Sequence, residues 1–366
     1  MPGFNLPLKK LIDQGIKVDF VILSYQEHSV SKTVSWLSNS EFHFINGLGI
    51  KNLNRLRGLI ASKEYDFVYG HGCKPAFWAN IFSNIYRVPF GARLYGTFMV
   101  EVVESNLVKA IFKHPYEFAL YNLSKKFLLT TDDGSKGNKV LERFRMINCK
   151  YDFYFWVNGT DIQEQCNEIA VNDSSKPFLF FPARFDRWKR QDMAVEIVKT
   201  LKKRGVDIQL FLCGHYFDQV YVRELKQKIA QNNLEGLVFL QESMPKEQLY
   251  ENMQQATAML FCYDFSNFGN VFIESSSLGA LNVVRNDNSC DRIMSHGVTG
   301  ILFDTIEQAA DGIQSVIEGR IDAQLLKYNC KVKASQVFST WEKRVSDEVE
   351  LINTYSSCEM ESKLWS

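Results

Sequence analysis

The feature that most constrains this chain is a regular alternation of short apolar runs with longer amphipathic stretches, clearest in its second half. Phe178–Phe181 is four apolar residues in a row. A run of that length leaves no face for water, so it reads as a strand covered on both sides, as in a parallel sheet. Similar runs follow at Ile208–Leu212, Val238–Leu240, Ala258–Cys262, Asn282–Val284 and Gly300–Phe303, with helical stretches between them. In the first half, Val18–Leu23, Phe67–Tyr69, Phe90–Tyr95 and Phe127–Thr131 read as strands, and Lys74–Ile85 as a helix with Pro75 near its start. Alternation of this kind predicts an α/β protein with two doubly wound parallel sheets. The two domains are expected to face each other across a cleft, with ligands at the carboxyl ends of the strands.

The front of the chain departs from that pattern. Leu6–Gln14 reads as a helix stopped by Gly15, and only then does a strand follow. A doubly wound domain normally opens with a strand. The first domain is therefore expected either to lack that strand or to start upstream of Met1.

Composition narrows the function. The 366 residues suit two domains that each bury a core. Lys and Arg total 42, as do Asp and Glu, so the chain has no global field for nucleic acid, and none is expected as a partner. The eight cysteines form no C-x-x-C pair and no Cys/His cluster at zinc spacing. The start carries no charged-then-apolar leader, and no apolar run approaches the roughly 20 residues that cross a bilayer. The expectation is a cytoplasmic, metal-free protein whose membrane contact, where it has one, is peripheral and on the inner face.

Two patches in the second half carry the chemistry. In PARFDRWKRQD, Arg184 and Lys189 are cations five residues apart, just after an apolar strand. In SNFGNVFIESSSLG, Gly269 and Asn270 stand at the start of a helix whose early turns carry Glu274. Free amides and the positive end of a helix dipole favour an anion there, so a cation pair and a helix start can share one phosphate. Alone, the cation pair equally fits a solvated loop, and Glu274 an acid favoured by the helix dipole.

In this order and separation, the patches resemble the sugar-nucleotide site of retaining GT-B glycosyltransferases, of the family 4 (group 1) type. Members read G-R-x-x-x-x-K-G, then E-G-F-G with a second Glu eight residues after the first. Arg184, Lys189, Phe268, Gly269 and Glu274 match, while Ala183 and Arg190 occupy the glycine positions and Ser266 stands where the first Glu is expected. Asn158-Gly159-Thr160-Asp161 resembles the hinge into the second domain, His296–Gly300 a turn before a late strand, and Phe338–Arg344 the closing helix.

The resemblance implies two Rossmann-like domains, residues 1–156 on the acceptor side and 157–340 on the donor side, with 341–366 a helix crossing back to the first domain. It implies transfer of a sugar from a nucleotide-diphosphate donor to a glycan or lipid-linked acceptor in surface polysaccharide assembly. Arg184 and Lys189 are expected to hold the diphosphate with the amides near Gly269, Asn270 and Val271, because negative charge builds on that leaving group. Glu274 is assigned to the ribose hydroxyls, Asn270 and Ser266 to the flanks of the sugar, Phe268 to the same loop, and Gly3 to the remnant of a phosphate-approaching glycine loop.

The acceptor-side candidates are His71, Tyr95, Gly96, Thr97 and Asp133, all just past strands. Each also has a plain structural alternative, such as a turn at Gly96. Asp132-Asp133 is the one adjacent acidic pair after a strand and reads as a turn or cap before a metal site, so no metal or other cofactor is expected. Residues 106–129 mix Lys109, Lys113, Lys125 and Lys126 with Phe112, Tyr116, Phe118, Tyr121 and Phe127. That mixture suits an anionic membrane surface, and equally a core flanked by solvated lysines. Two competing functions remain: a non-catalytic glycosyltransferase-like subunit, suggested by Ser266 and the short front, and a nucleotide-sugar epimerase, for which only His71 offers acid-base chemistry.

Overall fold

The computed structural model describes residues 2–24, 40–47, 49–62, 65–146, 150–162 and 176–357. It divides into two compact units, Met1–Asn158 with Trp341–Ser366, and Gly159–Thr340. Both are α/β, with every described strand pair parallel. Residues 358–366 of the expected closing segment lie outside the described residues.

The first unit opens with helix α1 (Pro2–Asp13), then β1 (Phe20–Ser24), β2 (Phe42–Asn46), α2 (Ile50–Ser62), β3 (Val68–His71), α3 (Cys73–Tyr86) and β4 (Phe90–Leu94). It continues with α4 (Leu107–Lys113), α5 (Pro115–Asn122), β5 (Phe127–Thr131), α6 (Gly137–Phe144) and β6 (Asp152–Trp156). Its main sheet runs β3-β4-β5-β6, while β1 and β2 pair with each other as a separate two-stranded ladder. Sequence reading missed β2 and β6. On β6 no residue is fully buried, so its apolar run does not carry the pattern of a covered central strand.

The period of two sorts the side chains of β5. Leu128 joins a core with Phe118 and Tyr121, whereas Phe127 and Leu129 join the opposite core with Leu8 and Leu11 of α1. That second core also holds Trp341, Val345 and Val349 of the closing helix, α13 (Trp341–Ser357), which packs along α1. Helices therefore cover both faces of the sheet.

The second unit follows the expected alternation closely. Its strands are β7 (Phe178–Pro182), β8 (Gln209–Cys213), β9 (Val238–Gln241), β10 (Ala258–Phe261), β11 (Asn282–Arg285) and β12 (Ile301–Phe303). Between and after them lie α7 (Gln191–Lys203), α8 (Gln219–Gln231), α9 (Lys246–Gln255), α10 (Asn270–Leu278), α11 (Ile306–Ile317) and α12 (Ala323–Val337). All five residues of β7 are buried, as the apolar run requires. The sheet order is β12-β11-β10-β7-β8-β9. The chain thus builds outward from β7 in one direction and, after β9, returns to β10 and builds outward in the other.

Candidate active site

The reversal of strand order between β7 and β10 decides where a ligand can sit. Crossover helices on either side of such a point leave to opposite faces, and the carboxyl ends of the two strands open a crevice between them. Arg184 and Lys189 follow the end of β7, and Ser266 to Glu274 follow the end of β10. The topology therefore brings the two sequence patches to one edge of the sheet.

Arg184 is half exposed, with Nη2 3.1 Å from Asp186 Oδ2 and its guanidinium 4.9 Å from the ring centre of Phe217. Lys189 ends the 3-10 turn Arg187–Lys189. Its Nζ lies 3.7 Å from the ring centre of Trp188 and 3.6 Å from that of Tyr263, attracted by both quadrupoles. The next residue, Arg190, has φ 57°, a left-handed conformation that glycine adopts most readily. This explains why the motif it resembles has glycine here. Ion pairs with Asp192 and Asp264, 3.0 and 2.9 Å long, hold Arg190 in place. Gly214, past the end of β8, runs so close to the Ala183 carbonyl that a Cβ has no room.

Ser266 is buried and also left-handed, at φ 60°. The loop around it is closed by Asn267, whose side chain accepts from Tyr263 N–H (3.1 Å) and donates to Tyr263 O (3.2 Å). Asn267 N–H in turn donates to Ser289 Oγ at 3.0 Å. Sequence reading missed Asn267 and Ser289, because each acts only through a tertiary bond. Phe268 is placed in the core against Phe272 and Phe338, so its side chain is packing rather than a ligand contact.

Gly269 caps α10, and Asn270 and Val271 open its first turn. Glu274 lies one turn further on. Its Oε1 accepts from Tyr250 Oη at 3.1 Å and stands 4.0 Å from Lys246 Nζ. Burial raises its pKa, opposed by Lys246 and the Tyr250 bond and assisted by Asp161. Tyr250 and Lys246, on α9, carried no signal in the sequence.

In the first unit the acceptor-side candidates cluster at the carboxyl ends of β3, β4 and β5. His71 Nδ1 is 2.8 Å from Tyr95 Oη, and the Arg93 guanidinium lies 4.7 Å from the Tyr95 ring centre. Desolvation, then the charge of Arg93, lowers the His71 pKa to about 3, so this imidazole is neutral near pH 7. Its Nε2 is buried with no hydrogen-bond partner among the described residues. Gly3, on α1, lies 3.5 Å by its missing Cβ from Trp341 and 3.7 Å from Asn158, and the neighbouring Phe4 ring stacks edge-on to His71 at 4.9 Å.

Gly96 has φ 105° and a Cβ there would collide with the Asp133 carboxylate. Asp133 Oδ1 accepts from Ser135 N–H at 3.0 Å, the turn role expected of it, and Ser135 Oγ accepts from Thr97 N–H at 2.8 Å. Thr97 Oγ1 donates to Glu117 Oε1, and Phe98 N–H donates to Glu117 Oε2 at 3.1 Å. Burial pushes the Glu117 carboxyl up to about 7, partly offset by the Thr97 and Phe98 bonds. Glu117 carried no site signal in the sequence.

Among the described residues one group has the makings of a cation site. Asp19, Glu41 and His43 hold ligand atoms within 4.8 Å of one another, on one face of the β1–β2 ladder. They sit at the amino ends of those strands, and Lys17 Nζ already lies 3.2 Å from Glu41.

Residues 163–333 match the family model of glycosyl transferases group 1. That stretch, most of the second unit, is similar to the group 1 glycosyl transferases. The chain is similar in fold to Anabaena HepE, whose structure is in complex with UDP and glucose. That likeness has a TM-score of 0.71 at 16% identity, over 98% of this chain and 94% of that one. Two curated relatives are each named GDP-mannose:cellobiosyl-diphosphopolyprenol alpha-mannosyltransferase. The protein from Xanthomonas oryzae pv. oryzae (strain PXO99A) is 27% identical over 43% of this chain, and that from Xanthomonas campestris 22% over 70%. The chain spans 42% and 66% of these relatives' own lengths.

Proposed function

We propose that this chain is a retaining glycosyltransferase that moves a sugar from a nucleotide-diphosphate donor to a lipid-linked saccharide at a membrane surface, in surface polysaccharide assembly. What supports the reading is that the segment carrying Arg184 and Lys189 and the amino end of α10 follow the carboxyl ends of the neighbouring strands β7 and β10, where the strand order reverses. A diphosphate leaving group gains negative charge as its bond to the anomeric carbon breaks. Fixed cations and oriented amides stabilise that charge, with no reorganisation needed at the moment of reaction. Arg184 grips two oxygens through its planar fork, Lys189 acts as a point charge, and Glu274, held by Tyr250, accepts from the ribose hydroxyls.

The acceptor enters from the names of the two relatives, which act on a diphosphopolyprenol, and the candidate rim for it is His71, Tyr95–Thr97 and Asp133. The membrane contact in this reading is peripheral, at the cytoplasmic face of the cell membrane; among the described residues no helix is long and apolar enough to cross a membrane. No step requires a metal, since the positive groups already answer the diphosphate.

One observation favours a second reading, a non-catalytic nucleotide-binding subunit. Ser266 stands where the resembled motif has a carboxylate. Calorimetry with GDP, UDP and ADP and their sugar conjugates, followed by product analysis, separates the two. Binding with transfer to a diphospholipid-linked saccharide supports the enzyme, binding without turnover the subunit, and no binding defeats both.

A further inference from the structure

We propose that the first unit holds a binding site for a small inorganic anion of halide size, built from the guanidinium groups of Arg93 on β4 and Arg344 on α13. The inference does not rest on the proposed reaction. Arg93 pairs in register with His71 of β3 and Leu129 of β5. Side chains paired in register leave a sheet on one face, and here that is the face of Leu129, where α13 packs. On α13, Arg344 and Glu348 stand four residues apart and so share one side of the helix. The two elements thus bring both guanidinium groups to a single carboxylate.

That carboxylate does not balance them. Arg93 is 0% exposed, Arg344 4% and Glu348 1%. Both ion pairs fall on the same oxygen, Glu348 Oε2, at 3.7 Å from Arg93 Nε and 2.9 Å from Arg344 Nη2. The other oxygen, Oε1, accepts from Tyr69 Oη. Two arginines, which stay charged in proteins, face one carboxylate, so the buried cluster carries one positive charge in excess. The neighbouring groups do not offset it. Burial holds the Tyr69 and Tyr95 phenols above their ordinary pKa, which keeps them protonated, and His71 is neutral. Among the described residues no other carboxylate lies within ion-pair distance of either arginine.

The hydrogen bonds are incomplete as well. Arg93 Nη1 donates to Leu94 O at 2.7 Å. Arg93 Nε and Nη2, and Arg344 Nε and Nη1, are buried with no hydrogen-bond acceptor among the described residues. Trp156 and Tyr95 offer only ring faces, 4.6 Å from Arg344 and 4.7 Å from Arg93. A buried charge is strongly unfavourable unless it is paired. A water molecule accepts hydrogen bonds but brings no charge, whereas an anion answers both the free N–H groups and the excess charge. Enclosure of both guanidinium groups limits that anion to one without a chain or ring attached, such as chloride. Because Arg93 lies against Tyr95, the ion borders the candidate acceptor rim.

The test is thermal unfolding of the full chain in sodium chloride and in sodium gluconate at matched ionic strength, together with anomalous diffraction from crystals grown in sodium bromide. An ion that binds only the folded state raises stability with the logarithm of its concentration above Kd. The first-unit transition is therefore expected to rise with chloride and not with gluconate, and a bromide peak to appear in contact with Arg93 and Arg344. Arg344→Met leaves Arg93 and Glu348 balanced and is expected to lose the chloride dependence. Glu348→Gln doubles the excess charge and is expected to bind chloride at least about tenfold more tightly, unfolding early in gluconate and recovering in chloride. Where Arg344→Met does not fold, Glu348→Gln and the bromide crystals decide.

A bromide map without a peak at the cluster overturns the proposal, as does equal stabilisation by chloride and gluconate. So does an Arg344→Met variant that keeps the chloride dependence of wild type, since the ion then acts elsewhere.

Discussion

Arg184→Ala should weaken nucleotide-diphosphate binding by about 1.5–3 kcal/mol, the scale of a charged hydrogen bond, with a smaller effect on a nucleoside; titration calorimetry reads both. Tyr250→Phe removes the bond that orients Glu274 and should cost about 0.5–1.5 kcal/mol of donor binding. The same loss for a 2′,3′-dideoxyribose donor would show that the pair does not read the ribose. Two buried titrations in the first unit pull stability in opposite directions. His71 is neutral in the folded state down to about pH 3 but takes a proton near 6.5 when unfolded, so its contribution is lost as pH falls through that window. Glu117 keeps its proton to about pH 7 when folded and loses it near 4.5 when unfolded, so its contribution is lost as pH rises through that window. Between about pH 4.5 and 6.5 the slopes oppose, each up to about 1.4 kcal/mol per pH unit. Denaturant melts from pH 4.5 to 6.5 should show a falling slope with pH in His71→Asn and a rising one in Glu117→Gln; unchanged profiles would show that neither group titrates as described.

At the level of elements, the loops after the strands hold the candidate residues through bonds that no local pattern announces. The end of β4 is held to the end of β5 by Thr97 to Ser135, and from beneath by Glu117 on α5. Gly96→Ala places a methyl group against Asp133 in a left-handed conformation, and should destabilise the first unit by more than about 1 kcal/mol while lowering turnover. Thermal unfolding and steady-state kinetics check the two effects separately. The strands β7 to β12 were legible because covered parallel strands are apolar throughout, and α10 because Gly269 opens it and Gly279, at φ 74°, closes it. The partly buried β2 and β6 lacked that pattern.

For the whole molecule, α13 connects the far end of the sequence to the first unit. Glu348 on this helix is buried with Arg344 at 2.9 Å and Arg93 at 3.7 Å, and accepts from Tyr69 Oη at 2.7 Å. Glu348→Ala leaves two guanidinium groups buried without their counter-charge and should cost about 3–5 kcal/mol. Scanning calorimetry should show the loss in the first unit, with nucleotide binding by the second retained at temperatures below that transition. The sequence by itself determined the α/β class, the strands of the second unit and the residue types of the candidate anion site, because covered strands, helix starts and paired cations leave local patterns. Only the tertiary structure decided that β7 and β10 are neighbours, that Phe268 is core, that Tyr250 and Glu117 serve the candidate site, and that Phe112 is exposed while Phe118 and Tyr121 are not. Those facts depend on which distant segments pack together, and contacts between distant segments have no period along the chain.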